Sequence, residues 1–170
     1  MERASSSDAF GLLGLPARFD LDPAVIERAF FDRSKELHPD RFASAPAAER
    51  VAALSRSRAL NDAYQTLKKP VARAEYLLER AGVTIGDNER VEPELLMEIL
   101  ELREELAENR NNAAVVERLQ RDMQGRRDAA VARLASLFER DDLGEIKKQL
   151  ILLRYLGRYL AECDAALDED

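Results

Sequence analysis

A helical spacing of apolar residues extends along this 170-residue chain with one sustained break, between Gly82 and Glu92. Glycine and proline are scarce, with seven and six copies, while alanine, leucine, glutamate and arginine, which favour helices, are abundant. The sequence therefore predicts an all-α fold whose two parts meet at that break. A chain of this length has room for one ordinary domain or two small ones.

Four helices are predicted before the break, and we assign residues 8–81 to a first domain. The second helix starts at Pro23, because an acidic residue, Asp20 or Asp22, precedes it as a cap and proline is tolerated in the first turn. Apolar residues between Val25 and Leu37 recur on one side of this helix. The predicted bounds are Asp8 to Leu15, Pro23 to Leu37, Ala47 to Leu67 and, for a junction helix, Val71 to Arg80.

Three helices are predicted after the break, over residues 93–168. Their connections are short enough to force neighbouring helices to pack antiparallel, which indicates a three-helix bundle. The predicted bounds are Pro93 to Glu108, Asn112 to Arg140 and Leu143 to Leu167. The expected core positions are Val116, Leu119, Met123, Ala130, Leu134 and Leu137 on the middle helix, and Ile146, Leu150, Leu153, Leu160 and Leu167 on the last. Arg126 and Arg127 are expected to be solvated.

Charge and composition exclude several classes of function. A net charge of −7 and a pI near 5.0 argue against nucleic acid as a main partner, because phosphate binding requires a basic surface. One cysteine, Cys163, excludes an internal disulfide and a multi-cysteine metal site, and we expect it to be a small apolar residue near the end of the last helix. The glycines form no phosphate-binding loop, so no cofactor is expected.

No apolar run reaches the ~20 residues needed to cross a bilayer. The segment from Met1 to Ser5 lacks the apolar core of a secretion signal, and too few residues precede the first helix for a transit peptide. We therefore expect a cytoplasmic protein without a membrane partner.

The only histidine lies in the tripeptide His38, Pro39 and Asp40, between two predicted helices, which we refer to as the His-Pro-Asp turn. Pro39 fixes its own φ and disfavours helix at His38, so the chain turns there with both flanking side chains displayed. Asp40 can then offer its carboxylate to an arginine of a partner protein. The alternative is a helix stop followed by an acidic cap, with a solvated histidine.

Three segments resemble the HscB family of J-domain co-chaperones. They are Gly14-Leu15-Pro16-Ala17-Arg18, His38-Pro39-Asp40-Arg41-Phe42-Ala43 and Arg73-Ala74-Glu75-Tyr76-Leu77-Leu78. The resemblance extends over nearly the whole chain and implies an N-terminal J-domain followed by a three-helix bundle. It also implies two partners: a specialised heat-shock-70-class chaperone of the HscA type, and the IscU-type scaffold protein on which iron–sulfur clusters are built.

The resemblance assigns chaperone binding to the His-Pro-Asp turn, to Arg41 and to cations of the second helix. Those cations are Arg28, Arg33 and Lys35. Phe31 and Asp32 occupy positions where many J-domains are basic, which predicts a thinner cationic surface in this chain. The alternative is that the three cations form an ordinary solvated helix face.

The helix from Pro93 to Glu108 carries apolar residues on two sides. At about 100° per residue, one narrow stripe is expected to face the core; it consists of Leu95, Ile99, Leu102 and Leu106. Six residues off this stripe form what we call the Leu/Met/Glu surface: Leu96, Met97, Leu100, Glu101, Glu104 and Glu108. Apolar side chains bordered by carboxylates are typical of a protein-binding surface. The alternative is a wider core that includes the apolar members, with the glutamates solvated.

Three residues of the last helix, Leu152, Tyr155 and Tyr159, are likewise expected to lie off its core stripe, and the alternative of a wider core includes them as well. The resemblance to HscB assigns the Leu/Met/Glu surface, together with Tyr155, to binding of the cluster scaffold.

The sequence thus predicts a co-chaperone and not an enzyme. The bundle would hold the scaffold while the His-Pro-Asp turn engages the ATP-bound chaperone and stimulates its hydrolysis. One alternative is a general J-protein whose bundle binds other clients or dimerises. Another is a small helical enzyme that uses His38 as a base beside Asp40, although the sequence indicates no convergent polar pocket.

Overall fold

The computed structural model describes residues 8–87 and 89–168, and over these residues the protein is all-α, as predicted. Contacts divide the chain into two units, one ending at Arg80 and the other beginning at Ala81. The helices are α1 (Ala9–Leu13), α2 (Pro23–Glu36), α3 (Ala47–Lys68), α4 (Pro70–Arg80), α5 (Pro93–Glu108), α6 (Ala113–Glu139) and α7 (Leu143–Asp168). A short 3-10 helix, Pro39–Phe42, lies between α2 and α3.

The first unit is built on α3, against which α1 and α2 pack. Asp22 caps α2 by accepting the Ala24 N–H at 2.8 Å, which selects one of the two predicted acidic caps. The predicted apolar side of α2 is narrower than expected, because Val25 is exposed while Ile26 is fully buried. The main core side chains of the unit are Phe10, Leu13, Ile26, Leu60 and Leu67.

Helix α1 ends two residues earlier than predicted. Gly14 adopts a left-handed conformation, with φ of 68°, and its N–H donates to the Gly11 carbonyl at 3.1 Å. Glycine adopts this conformation without the penalty that a Cβ atom carries, so the helix stops at Leu13. At the other end, the Asp8 side chain accepts the Gly11 N–H at 2.7 Å.

Helix α4 packs on α3 within the first unit. The buried Arg73 guanidinium donates to the Leu67 carbonyl at 2.7 Å, which satisfies a carbonyl at the C-terminal end of α3. The guanidinium also lies 5.1 Å from the centre of the Phe19 ring. Burial lowers the pKa of Arg73, an effect that the charge of Asp20 opposes.

The second unit contains α5, α6 and α7, with α6 and α7 in extensive contact. All six predicted core positions of α6 are buried. On α7 the predicted positions Ile146, Leu150 and Leu153 are buried, whereas Leu160 and Leu167 are half-buried. The three-helix bundle is therefore confirmed, with the predicted core positions buried throughout α6 and in the first half of α7.

The prediction that Tyr159 lies off the core is wrong. Its side chain is buried, and its hydroxyl donates to the Leu102 carbonyl of α5 at 3.1 Å. Burial raises the pKa of this phenol. The core stripe of α7 is wider than one helix's spacing indicates, because α5 covers the side of α7 on which Tyr159 lies.

Among the described residues, no helix is both long enough and apolar enough to cross a membrane.

Candidate functional site

The His-Pro-Asp turn follows α2 directly. Leu37 ends the helix, His38 has φ of −59° and ψ of 133°, and Pro39 opens the 3-10 helix. The restriction that proline places on its preceding residue accounts for this sharp change from helical to extended backbone. The His-Pro-Asp turn thus follows the end of α2 directly and begins the 3-10 helix at Pro39.

Within the turn, His38 acts on the backbone. Its Nδ1 atom accepts the Asp40 N–H at 3.3 Å, in the manner of a helix N-cap. That bond requires Nδ1 to be unprotonated. The same atom lies 3.5 Å from Asp40 Oδ2, a contact that becomes an ion pair only on protonation of the ring.

The Asp40 carboxylate is displayed to solvent. Its side chain is 91% exposed, against 60% for His38. The predicted exposed turn is therefore confirmed, and the alternative in which Asp40 is simply an acidic cap is wrong, since the capping side chain is His38. An exposed, backbone-anchored carboxylate is suited to a charge-assisted contact with a partner's guanidinium.

The predicted cations of α2 lie on two sides of the helix. Lys35 is seven residues after Arg28, which places them within about 20° of each other, whereas Arg33 is about 140° from Arg28. The Arg33 guanidinium lies against the end of α1, where a Cβ atom on Gly14 would be 3.0 Å from Arg33 Nη2. It also pairs with Glu36 at 3.7 Å.

Arg41 connects the turn to the end of α2. Its guanidinium donates to the Lys35 carbonyl at 3.4 Å, and Lys35 pairs with Asp32 at 3.9 Å. Arg28, Lys35 and Arg41 are all exposed. The structure thus brings two of the predicted cations next to the turn, keeps Arg28 on the same side of α2 as Lys35, and places Arg33 elsewhere.

The aromatic residues of α2 have opposite environments. Phe30 stacks on Tyr64 of α3 with ring centres 4.3 Å apart and planes 12° apart. Phe31 is exposed, so an apolar side chain lies on the solvent side of this helix; the thinner cationic surface stays a prediction. The stacked pair therefore holds the middle of α2 to α3, about two helical turns before the His-Pro-Asp turn, while Phe31 remains on the outer side.

Helix α5 presents apolar side chains outward. Leu96, Met97 and Leu100 are 44%, 58% and 51% exposed, and the three glutamates of the Leu/Met/Glu surface are exposed as well. Ile99 and Leu106 on the opposite side are buried. The alternative of a wider core that includes the apolar members is therefore wrong for this helix.

Tyr155 of α7 is half-buried and lies in the bundle at the level of Ile99. This level follows from the register of the parallel helices α5 and α7, in which Leu102 meets Tyr159 and Arg103 meets Glu162. Tyr155 lies one helical turn before Tyr159 on α7. The Arg158 guanidinium is 6.0 Å from the centre of the Tyr155 ring.

The segment before α5 was not predicted to contribute to this region, yet it packs beside Tyr155. A small cleft lies between α7 and the described residues of this segment, 85–87 and 89, and Ile85, Ile151 and Tyr155 line it. Glu89 fixes the segment: it accepts the Gly86 N–H at 2.9 Å and pairs with Lys147 of α7 at 2.8 Å. Hydrogen bonding to Lys147 is the main cause that lowers the pKa of Glu89.

Three ion pairs attach α5 to its neighbours. Glu98 forms a bidentate pair with Arg126 of α6, so the prediction that Arg126 is solvated is wrong. The other pairs are Glu105 with Arg118 of α6 and Arg103 with Glu162 of α7, each at 2.7 Å. A signal was present in the sequence, since the two glutamates are seven residues apart and their arginines eight, as facing antiparallel helices require.

Cys163 is fully buried among apolar side chains, as predicted. Burial raises the pKa of its thiol, which disfavours the thiolate that nucleophilic chemistry or metal binding requires.

Comparisons with known proteins agree with this geometry. Residues 8–76 match the family model described as the DnaJ domain, and residues 91–164 match the one described as the HSCB C-terminal oligomerisation domain. A protein of Bordetella petrii named co-chaperone protein HscB homolog is 38% identical over 163 residues, which cover 92% of this chain and 96% of that protein. A Vibrio vulnificus protein of the same name is 45% identical over 101 residues, 58% of this chain and 59% of its own.

Two solved structures are similar over most of their length. The chaperone HscB from Vibrio cholerae superposes with a TM-score of 0.84 at 32% identity, over 95% of this chain and 98% of that one. The human co-chaperone protein HscB superposes with a TM-score of 0.87 at 27% identity, over 96% and 83%.

The neighbours Ile99 and Leu100 provide a test of the two sides of α5. We expect Ile99→Ala to lower the free energy of unfolding by about 2–4 kcal/mol, because it leaves a cavity in the core. Leu100→Ala should change it by less than about 0.5 kcal/mol, since an exposed side chain gains little from folding. Urea denaturation followed by circular dichroism measures both. Equal losses would contradict the assignment of Leu100 to the surface.

Proposed function

This chain belongs to the HscB family of J-domain co-chaperones, and from that premise we propose that it binds an IscU-type iron–sulfur cluster scaffold and delivers it to an HscA-type chaperone whose ATPase it stimulates. The two activities are assigned to separate parts of the chain. Residues 8–81 would form the J-domain that engages the chaperone, and residues 93–168 would form the bundle that holds the scaffold.

The observation that carries the scaffold assignment is the exposure of Leu96, Met97 and Leu100 on one side of a helix whose other side is buried. Large apolar side chains grouped at about half exposure and rimmed by polar residues are typical of a protein-binding patch, whose centre becomes buried on association. The exposed glutamates around them supply a polar rim that keeps the free protein in solution. Tyr155 adds an aromatic side chain from α7.

The chaperone assignment is supported by the geometry of the His-Pro-Asp turn. His38 holds the backbone of Asp40 in place, which lowers the backbone part of the entropy cost when the exposed carboxylate binds a guanidinium. Arg28, Lys35 and Arg41 add positive charge on the same side of α2 and at the turn. Arg33, which lies against the end of α1, is assigned a lesser part.

The co-chaperone performs no chemistry in this mechanism. It binds the hydrolysis-competent state of the chaperone better than the other states, and the population of that state therefore increases. Holding the scaffold at the same time raises the local concentration of client at the chaperone, because two linked binding sites turn the second encounter into an intramolecular one.

The family model of the second unit, described as an oligomerisation domain, favours one further candidate. The Leu/Met/Glu surface could bind a second copy of the chain, as in a general J-protein that dimerises. Sedimentation equilibrium separates the two candidates, because self-association through this surface is lost in Leu96→Ala with Leu100→Ala.

The variant Asp40→Asn tests the chaperone assignment. We expect it to abolish stimulation of the chaperone ATPase, because the neutral amide cannot form the charge-assisted contact. Scaffold binding and the melting temperature should be unchanged, since the Asp40 side chain is 91% exposed. Glu27→Gln removes another exposed carboxylate of the first unit and serves as the matched control. Full stimulation by Asp40→Asn would contradict the assignment.

The double variant Leu96→Ala with Leu100→Ala tests the scaffold assignment. We expect scaffold binding, measured by calorimetry, to weaken by about 2–4 kcal/mol if these side chains are the anchors of the interface. The control is Val51→Ala with Leu54→Ala, which truncates another exposed apolar pair, on α3. An equal loss in the control, or none in the test variant, would contradict the proposal.

A further inference from the structure

Helix α5 has apolar side chains on two sides, so apolar burial alone gives it two competing ways to pack. The hydrophobic effect is proportional to area and has no preferred direction. A rotation about the helix axis could exchange the inward leucines for the outward Leu96, Met97 and Leu100. The helix is also weakly anchored by its core side, with two buried residues against six in α6 and eight in α7.

The three ion pairs lie on the flanks of α5, between its two apolar sides. Glu98 and Glu105 are seven residues apart, which places both within about 20° on the flank that faces α6. Arg103 projects from the opposite flank, toward Glu162 of α7. A rotation that buried the outer apolar residues would carry these side chains away from their partners.

The pair between Glu98 and Arg126 is the strongest of the three. Two parallel N–H···O bonds join the side chains, and Arg126 is the most shielded of the three arginines. Bidentate arginine–carboxylate pairs have a fixed relative geometry, which single contacts lack. Hydrogen bonding to Arg126 lowers the pKa of Glu98, and the same contact raises that of Arg126, so both stay charged at neutral pH.

We propose that the Glu98–Arg126 pair, supported by Glu105–Arg118 and Arg103–Glu162, sets the rotation of α5 and thereby keeps the Leu/Met/Glu surface outward. Glu98 and Arg126 are thus positioning residues for scaffold binding. The part of this proposal that concerns scaffold binding rests on the proposed function, whereas the part that concerns the rotation of α5 does not. Ion pairs used in this way select one packing over another, even where their net contribution to stability is small.

The first experiment measures the rotation without any partner. A thiol introduced by Met97→Cys is labelled with a maleimide, and buried Cys163 reports unfolding in the same sample. Adding Arg126→Glu should slow labelling at position 97 by about tenfold, because the repelled Glu98 lets the outer side turn inward. Adding Glu98→Arg as well reverses the pair and should restore the rate.

Controls keep this result interpretable. Arg127→Glu makes the same charge change on the adjacent residue and should leave labelling at position 97 unchanged. Labelling of Cys163 in Arg126→Glu would show that this variant has unfolded. In that case Arg126→Gln, which removes the pair without adding repulsion, replaces it, and we expect it to slow labelling at position 97 by less. Unchanged labelling at position 97 in both Arg126 variants would overturn the proposal.

The second experiment measures scaffold affinity in the chain without the Met97→Cys change. Arg126→Glu should weaken binding by about tenfold, and the reversed pair should recover most of the loss. A loss that the reversed pair does not recover would mean that Arg126 contacts the scaffold itself, and would overturn the positioning role. If the unmodified chain does not bind the scaffold while the labelling results hold, the proposed function fails and the rotational role stands.

Discussion

Helix α5 buries only one of its two apolar sides, and this leaves three large apolar residues on the surface. In this three-helix bundle, α6 and α7 supply most of the buried core residues. Helix α5 packs against them through Ile99 and Leu106, and its Leu102 carbonyl accepts a hydrogen bond from the Tyr159 hydroxyl. The remaining apolar residues are therefore available to a partner. Because α5 buries few apolar residues, the ion pairs on its flanks become important, since they determine which of its two apolar sides stays exposed.

In the first unit, the exposed feature is polar: the His-Pro-Asp turn presents the Asp40 carboxylate to solvent. The stacking of Phe30 on Tyr64 holds the middle of α2 to α3, and thereby the helix that leads into the His-Pro-Asp turn. Within the turn, proline restricts the backbone and His38 caps it, so the backbone of Asp40 is held while its carboxylate is exposed. A recognition residue that is fixed before binding retains more of its contact energy as affinity.

Periodicity in the sequence predicted most of the fold and part of the candidate site. The bounds of α5, the six core positions of α6 and the outward direction of Leu96, Met97 and Leu100 depend on spacing within a single helix, and they were confirmed. Features that depend on a second helix were missed. Tyr159 is buried because α5 covers it, and Arg126 is paired because Glu98 of α5 faces it. The spacing of apolar residues within one helix does not indicate which residues of a neighbouring helix face it.

In the proposed function, one molecule links the scaffold to the chaperone. Steady-state ATP hydrolysis by the HscA-type chaperone, measured with this protein alone, with the IscU-type scaffold alone and with both together, tests that link. We expect the rate with both to exceed well the sum of the separate increases. Stimulation by this protein that is indifferent to the scaffold would show that no such link forms and would leave the Leu/Met/Glu surface to another partner.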